Sequence, residues 1–117
     1  MHERLRALLD DVETARIDLT ALLERLGQSL EVRTQIGDPG FVLSERDPVP
    51  GVELHEDLIA GLERMHHAIA AARSEAVRIM VDEEGLTMSD VAKLMGRPRQ
   101  LVSRLYRSAS ASSRRDV

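Results

Sequence analysis

The sequence predicts a mainly α-helical protein built from long amphipathic helices. In two long stretches the apolar residues recur at alternating intervals of three and four, which is the helical period. One phenylalanine, one tyrosine and no tryptophan occur among 117 residues, so the core must be aliphatic, as is typical of packed helices. The length corresponds to one domain, or to one small module with an accessory segment.

A coiled-coil-like N-terminal helix is predicted over about residues 3–26. Its apolar seam follows an unbroken heptad spacing: Leu5, Leu8, Val12, Ala15, Leu19, Leu22 and Leu26. A second series, Leu9, Leu23 and Leu30, widens the apolar stripe beyond a minimal seam. Gly27 follows the seam, where helices often end in a left-handed residue. A lone helix cannot bury this stripe, so it must pack on another helix of the chain, on a second copy, or on both.

The period changes after Gly27. Apolar or β-branched residues then alternate with polar ones as far as Ile36, and a GDPG turn at 37–40 leads to a second apolar run at 41–43. This pattern predicts a short β-hairpin. The alternative is that the first helix continues to about Ile36 and the rest is a loop. The stretch SERDPVPG, residues 44–51, is predicted to be a linker because its prolines fit neither a helix interior nor a central strand.

A second long helix is predicted over residues 54–84. Its apolar residues are again three or four apart: Leu54, Leu58, Leu62, Met65, Ile69, Ala72, Ala76 and Ile79. Uninterrupted, this helix would be about 45 Å long. Ser74 could instead cap a break that starts the first helix of a C-terminal module.

Two short helices joined by a glycine turn are predicted next. Thr87 caps the first, and Asp90 completes a capping box. Gly96 supplies the positive φ that reverses the chain, and Pro98 opens the second helix, where its missing amide hydrogen is tolerated. The residues expected to be buried are Val91, Ala92, Met95, Leu101, Val102 and Leu105. Two such helices crossing at a steep angle form a helix-turn-helix unit.

The charge of the chain is asymmetric. Residues 85–117 carry seven basic and two acidic side chains, a net charge of +5, whereas residues 1–84 carry nine basic and eighteen acidic ones, a net charge of −9. A basic end on an acidic body predicts a polyanionic partner held at that end, and the alternative is an ordinary solvated helix face.

The stretch that starts at Met88 resembles the helix-turn-helix family of bacterial DNA-binding proteins. Counted from Met88, the family has a small residue at the fifth position, a glycine at the ninth and a β-branched residue at the fifteenth. These positions are occupied here by Ala92, Gly96 and Val102. GRPRQLVSRLYR looks like the recognition-helix half of the family, including its sigma-factor region-four type. The resemblance covers about residues 74–107, and none is recognised for residues 1–70. Pro98 departs from the serine or threonine that often caps this helix in the family.

The resemblance implies that the second helix, about 98–107, lies in the major groove of double-stranded DNA. Arginine pairs with guanine and glutamine with adenine there, so base reading is predicted for Arg99, Gln100, Ser103 and Arg104. Phosphate contacts are predicted for Thr87, Lys93, Arg97 and Arg107, with Thr87 acting through nearby helix N-terminal amides.

A single unit of this kind contacts few base pairs, so a homodimer is predicted. Its surface would be formed by the first helix, by the apolar side of residues 54–79, or by both, and the residues of the first helix that would take part are Leu5, Leu8, Val12, Leu19, Leu22 and Leu26. The alternative is an antiparallel hairpin of the two long helices within one chain. The segments are then a dimerisation region with hairpin and linker at 1–53, a connecting helix at 54–84, a DNA-binding module at 85–108 and a flexible tail at 109–117.

The sequence therefore predicts a dimeric transcriptional regulator that reads specific DNA sequences. The alternatives are an adaptor that docks its basic module on transcription machinery and an architectural nucleoid protein. The chain lacks cysteine and an apolar signal core, and no stretch approaches the ~18 apolar residues of a membrane span, so a cytoplasmic, nucleoid-associated location without membrane contact is expected. No metal, cofactor or catalytic constellation is predicted, because His66 and His67 are adjacent and point about 100° apart on a helix.

Overall fold

A computed structural model describes residues 2–36 and 51–115, and this part of the chain is mainly helical, as predicted. Its helices are α1 (Glu3–Ile36), α2 (Gly51–Asp82), α3 (Met88–Met95) and α4 (Arg99–Arg115). The chain divides into two compact units. The first comprises Met1–Val12 and His67–Val117, and the second comprises Glu13–His66.

Helix α1 does not end at Gly27 as predicted, but continues to Ile36. The predicted first strand of the hairpin is therefore wrong, and the alternative of a longer helix is correct for these residues. The turn at 37–40 and the run at 41–43 lie outside the described residues. Ser29 is only 1% exposed, so α1 is still packed beyond Gly27, and this packing outweighs a local β preference.

Helix α2 is uninterrupted from Gly51 to Asp82, so Ser74 does not cap a break. Ser74 lies inside the helix and is buried. The end of α2 is made by a left-handed turn at Gly85, where φ is +72°. The Leu86 amide donates to the Met80 carbonyl over 3.0 Å and so caps the last turn. Of the predicted linker, Gly51 belongs to α2 and the rest lies outside the described residues.

In the unit Glu13–His66, α1 and α2 pack as an antiparallel pair. A Cβ atom added to Gly61 would lie 3.0 Å from Leu22 Cδ1 and 3.5 Å from Leu19 Cδ1. Further along α1, an Arg25 guanidinium nitrogen lies 3.8 Å from the Asp57 carboxylate. Residue numbers rise along α1 as they fall along α2, so the two helices are antiparallel. Leu19 and Leu22, predicted to form a dimer surface, therefore pack inside the chain.

The unit that contains α3 and α4 has a small aliphatic core. Val77 of α2, Val91 of α3 and Val102 of α4 are at most 2% exposed. The side chains packed around them are partly buried: Met80, Val81, Leu86, Met88, Ala92, Met95, Leu105 and Tyr106. Burial of Val91 and Val102 agrees with the prediction. Three helices contribute one valine each, and this core fixes how α3 and α4 are oriented.

Helix α4 extends well beyond the predicted recognition segment, to Arg115. Ala109 is only 4% exposed, although the serine-rich composition predicts a flexible tail from this residue onward. Ala109 follows Val102 by seven residues and Leu105 by four, so it lies on the same buried stripe. This packing extends the helix into the predicted tail.

Candidate nucleic-acid interface

Helix α3 begins with the capping box predicted from the sequence. The Asp90 amide donates to Thr87 Oγ1 over 3.1 Å, and the Thr87 amide donates to Asp90 Oδ2 over 3.1 Å. The hydrogen bonds that Thr87 gives to the Asp90 carboxyl, from its backbone amide first and from its side chain second, lower the pKa of that carboxyl below its usual value, and Lys93 adds a smaller attraction. The same bonds use the Thr87 amide and bring a carboxylate to this helix N-terminus. That arrangement disfavours the phosphate contact predicted at Thr87.

The turn between α3 and α4 is built on Gly96. Its φ of 64° and ψ of 33° place it in the left-handed region that glycine adopts without strain. The Gly96 amide donates to the Lys93 carbonyl over 3.3 Å, and the Arg97 amide donates to the Ala92 carbonyl over 3.1 Å. This is the Schellman pattern of helix termination. Residues 88–107 consequently form two helices joined by a turn.

Helix α4 begins at Arg99, one residue after Pro98. The Pro98 carbonyl accepts hydrogen bonds from the amides of Leu101 and Val102, at 3.1 Å and 3.4 Å. A proline side chain has no oxygen to cap the helix, so only its backbone carbonyl takes part. The preset φ of proline still suits the entry into a helix.

The sequence-predicted base readers lie together on one face of α4. Arg99, Gln100 and Arg104 are exposed, and Ser103 is half-buried. The opposite face carries Val102 and its buried neighbours, because successive residues are rotated by about 100° around the helix. Arg107 continues the exposed face one turn beyond Ser103. The polar face of α4 thus points away from the core that holds the helix in place.

The basic groups of this region form no ion pairs within the part of the chain that the structure describes. No described carboxylate lies within ion-pair distance of the guanidinium groups of four arginines: Arg97, Arg99, Arg104 and Arg107. The exposed Lys93 ammonium likewise forms no ion pair with a described residue. Elsewhere, by contrast, Arg78 and Arg16 are held by neighbouring glutamates. The surface around α4 therefore combines uncompensated positive charge with hydrogen-bond donors.

Arg104 also borders a cleft of about 550 Å³ in the same unit. The polar residues that line this cleft are Arg4, His67, Ser74, Glu75, Arg104 and Ser108. Glu75 is 1% exposed, and Arg78 donates to its Oε1 from Nε at 2.9 Å and from Nη2 at 2.6 Å. Arg4 Nε lies 3.3 Å from Glu75 Oε2. A buried carboxylate is tolerable because cations surround it.

Glu75 is the residue of this region that sequence reasoning missed. The predicted apolar seam of α2 passes through Ala72, Ala76 and Ile79. The spacing from Ala72 to Glu75 and on to Ile79 is equally helical, three and then four residues. That spacing could have placed Glu75 inward, but a glutamate is rarely fully buried unless it is paired.

In residues 2–36 and 51–115, no three histidine, aspartate or glutamate side chains converge in a geometry that could hold a metal ion. None of the helices found in these ranges is both long and apolar enough to span a bilayer.

Comparison of the chain with protein-family models, with curated proteins and with solved structures gives no match. Any functional conclusion therefore depends on the geometry and charge of the surface itself.

Proposed function

We propose that this protein binds double-stranded DNA in a sequence-specific manner, with α4 in the major groove, and that it acts as a pair to regulate transcription. The observation that supports this most strongly is the exposed face of α4. That face carries arginines without ion-pair partners among the described residues, and it lies opposite the buried Val102, directly after the turn at Gly96.

The dimensions and the side-chain types of α4 suit this role. An α-helix with its side chains is about 10–12 Å wide, and the major groove is about 12 Å wide. Arg99 and Gln100 lie in the first turn of α4, the end that reads bases in helix-turn-helix proteins. Arg104 follows one turn later, and its guanidinium could pair with both acceptors of a guanine. These residues are our proposed base readers, together with Ser103.

Phosphate contacts are proposed for residues that flank this face. Arg97 lies in the turn before α4, Lys93 in the last turn of α3, and Arg107 two turns into α4. Contacts of this kind set the register and affinity of a protein on DNA but convey little sequence information. Thr87 is a weaker candidate, because the capping box already uses its amide and adds the negative charge of Asp90.

A binding titration against salt tests this proposal. Fluorescence anisotropy with random duplex DNA should give a logarithm of affinity that falls linearly and steeply with the logarithm of salt concentration, because phosphate binding releases counterions. Selection from a random duplex library should then enrich a defined motif. Binding without an enriched motif would favour an architectural role. No affinity for DNA at low salt would refute the proposal and favour an adaptor that docks on protein.

A further inference from the structure

The cleft beside Arg104 lies where α1, α2 and α4 meet, inside the unit formed by Met1–Val12 and His67–Val117. Its volume of about 550 Å³ is within the range of small-molecule binding sites. Five of the ten residues that α2 and α4 contribute to its lining are small: Ala70, Ala71, Ser74, Ser108 and Ala109. Longer side chains at these positions would fill the space, so the volume of the cleft depends on the size of these residues.

The lining of the cleft includes a buried carboxylate with an unused acceptor. Glu75 is 1% exposed, and its Oε1 accepts the hydrogen bonds from Arg78. Its Oε2 accepts no hydrogen bond from a described residue, although Arg4 Nε lies 3.3 Å away. About nine in ten buried polar groups in proteins have a hydrogen-bond partner. This oxygen therefore indicates a donor that the described residues do not supply.

The charge of the lining favours an anion. Arg104 is exposed and forms no ion pair with a described residue. Glu75 is the one acidic side chain among the described residues that line the cleft, and two arginines already face it. Glu3, Asp11 and Glu63 are near lining residues in the sequence, but they are exposed and do not line the cleft. A guanidinium can bind a carboxylate through two parallel hydrogen bonds, so an anionic group fits beside Arg104.

We propose that this cleft binds a small hydroxylated organic acid, with the carboxylate of the ligand on Arg104 and its hydroxyl on Glu75. A neutral hydroxyl suits Glu75 better than an ammonium group, because two arginines lie beside this carboxylate and would repel a third cation. The body of the ligand is apolar, since the remaining lining is largely so: Leu8, Ala70, Ala71, Leu101, Leu105 and Ala109. This site does not depend on DNA binding.

Nuclear magnetic resonance of the ¹⁵N-labelled full-length chain, titrated with 4-hydroxyphenylacetate, tests the site. We expect saturable shifts of the amide signals of Ser74, Glu75 and Arg104, with a dissociation constant of about 1 mM for so small a probe. Phenylacetate lacks the hydroxyl and 2-(4-hydroxyphenyl)ethanol lacks the carboxylate, so each should bind about tenfold more weakly. An analogue that binds as tightly as 4-hydroxyphenylacetate would overturn the contact assigned to the group that it lacks. No saturable shift at these residues would overturn the site.

Two matched pairs of variants locate the probe in the cleft. Ala71→Leu fills the cleft and should abolish the binding of 4-hydroxyphenylacetate. Its control is Ala21→Leu, at an exposed alanine that lines the groove of the other unit, and this variant should bind as the wild type does. Arg104→Ala should weaken binding about tenfold, whereas Arg6→Ala, at an exposed arginine outside the cleft, should not. Equal effects within either pair would overturn the location.

Glu75→Met tests the hydroxyl contact separately from folding. In this variant 4-hydroxyphenylacetate and phenylacetate should bind equally, because the acceptor that distinguishes them is gone. A purely structural role of Glu75 would weaken both probes by the same factor and preserve the difference between them. Circular dichroism shows that each variant remains helical, and Arg104→Ala changes an exposed side chain, so it tests the site even where a buried substitution unfolds the chain.

One consequence of this site rests on the proposed function. A guanidinium that holds a carboxylate is not available to a guanine, so saturating 4-hydroxyphenylacetate should weaken binding to the preferred duplex through Arg104. Sodium phenylacetate at the same concentration is the control, because it gives equal ionic strength with lower occupancy of the cleft. Equal DNA affinity in the two salts would overturn the competition. Absence of all DNA binding would overturn the proposed function, whereas the resonance titration decides the site by itself.

Discussion

The Tyr106 hydroxyl of α4 donates a hydrogen bond of 2.7 Å to Asp82 Oδ1, at the last residue of α2. The ring of Tyr106 packs against the Val77–Val91–Val102 core, so the same side chain holds α4 to α2 through both its apolar body and its polar tip. The acceptor is a carboxylate, which favours the protonated phenol and raises the pKa of Tyr106 above its usual value of 10.0. The orientation of the proposed DNA-reading helix therefore depends in part on this contact.

The raised pKa of Tyr106 predicts a loss of stability at high pH. The hydroxyl is still protonated in the folded chain at a pH where it ionises in the unfolded chain. The stability that it contributes is therefore fully present below pH 10 and is lost as pH rises through the folded pKa. Tyr106 is the one tyrosine and there is no tryptophan, so ultraviolet absorbance follows this group alone. Asp82→Asn should move the titration midpoint back toward 10. An unchanged midpoint would show that Asp82 does not control it.

The lowered pKa of Asp90 predicts the opposite dependence, at low pH. The capping carboxylate stabilises α3 when it is ionised, so its contribution is complete above the usual pKa of 3.8 and is lost as pH falls below that value toward the folded pKa. Asp90→Asn keeps an oxygen acceptor for the Thr87 amide but does not titrate. Urea unfolding of both proteins at several pH values should show the advantage of the wild type shrinking only below about pH 4. A constant difference would contradict the prediction.

The buried carboxylate of Glu75 predicts an asymmetric pair of substitutions. Arg78→Met leaves Glu75 buried with only Arg4 beside it. The free energy of unfolding should fall by roughly 3 kcal/mol, which is the low end of the range for breaking a buried ion pair, because Arg4 remains. Glu75→Met removes the buried charge itself and should change stability by less than about 1 kcal/mol. The double variant should recover most of the loss. Additive effects in this cycle, measured by chemical denaturation, would show that the pair is not coupled.

Gly96 predicts a purely conformational effect of substitution. A Cβ atom at this position would meet nothing within 4 Å, so Gly96→Ala introduces no clash but forces a side chain into the left-handed region. The expected cost is about 1–2 kcal/mol in the free energy of unfolding. Gly96→Asn should cost less, since asparagine adopts this conformation more readily. Equal stability of Gly96→Ala and the wild type would mean that the turn does not require glycine.

The proposed division of the residues on and before α4 into base readers and phosphate contacts predicts two kinds of DNA-binding variant. Arg99→Ala and Arg104→Ala should each cost about 1–3 kcal/mol on the preferred site and relax its sequence preference. Arg97→Ala should weaken binding to all duplexes equally and reduce the salt slope by about 1. The control is Arg6→Ala, an exposed arginine on α1, which should have no effect. The division is wrong if all three arginines on and before α4 behave alike.

The parts of this structure that the sequence by itself determined depend on contacts between near neighbours in the chain. The Thr87–Asp90 capping box, the left-handed Gly96 and the burial of Val91 and Val102 all follow from residue types within a turn or two of each other. Such features could be predicted because hydrogen-bond geometry, the φ preference of glycine and helical periodicity act locally. The exposed position of Arg99 and its neighbours follows from the same periodicity.

Only the tertiary structure decided which side of each long helix is buried, and against what. Gly27 and the alternating residues after it locally favour a helix end, yet α1 continues because Ser29 is packed beyond that point. Likewise, the seam at Leu19 and Leu22 is compatible with a partner chain or with α2, and the approach permitted by Gly61 selects α2. Glu75 is buried because arginines from α1 and α2 meet there. A heptad pattern indicates that an apolar stripe must be buried against another helix. Which helix buries it depends on residues far away in the sequence.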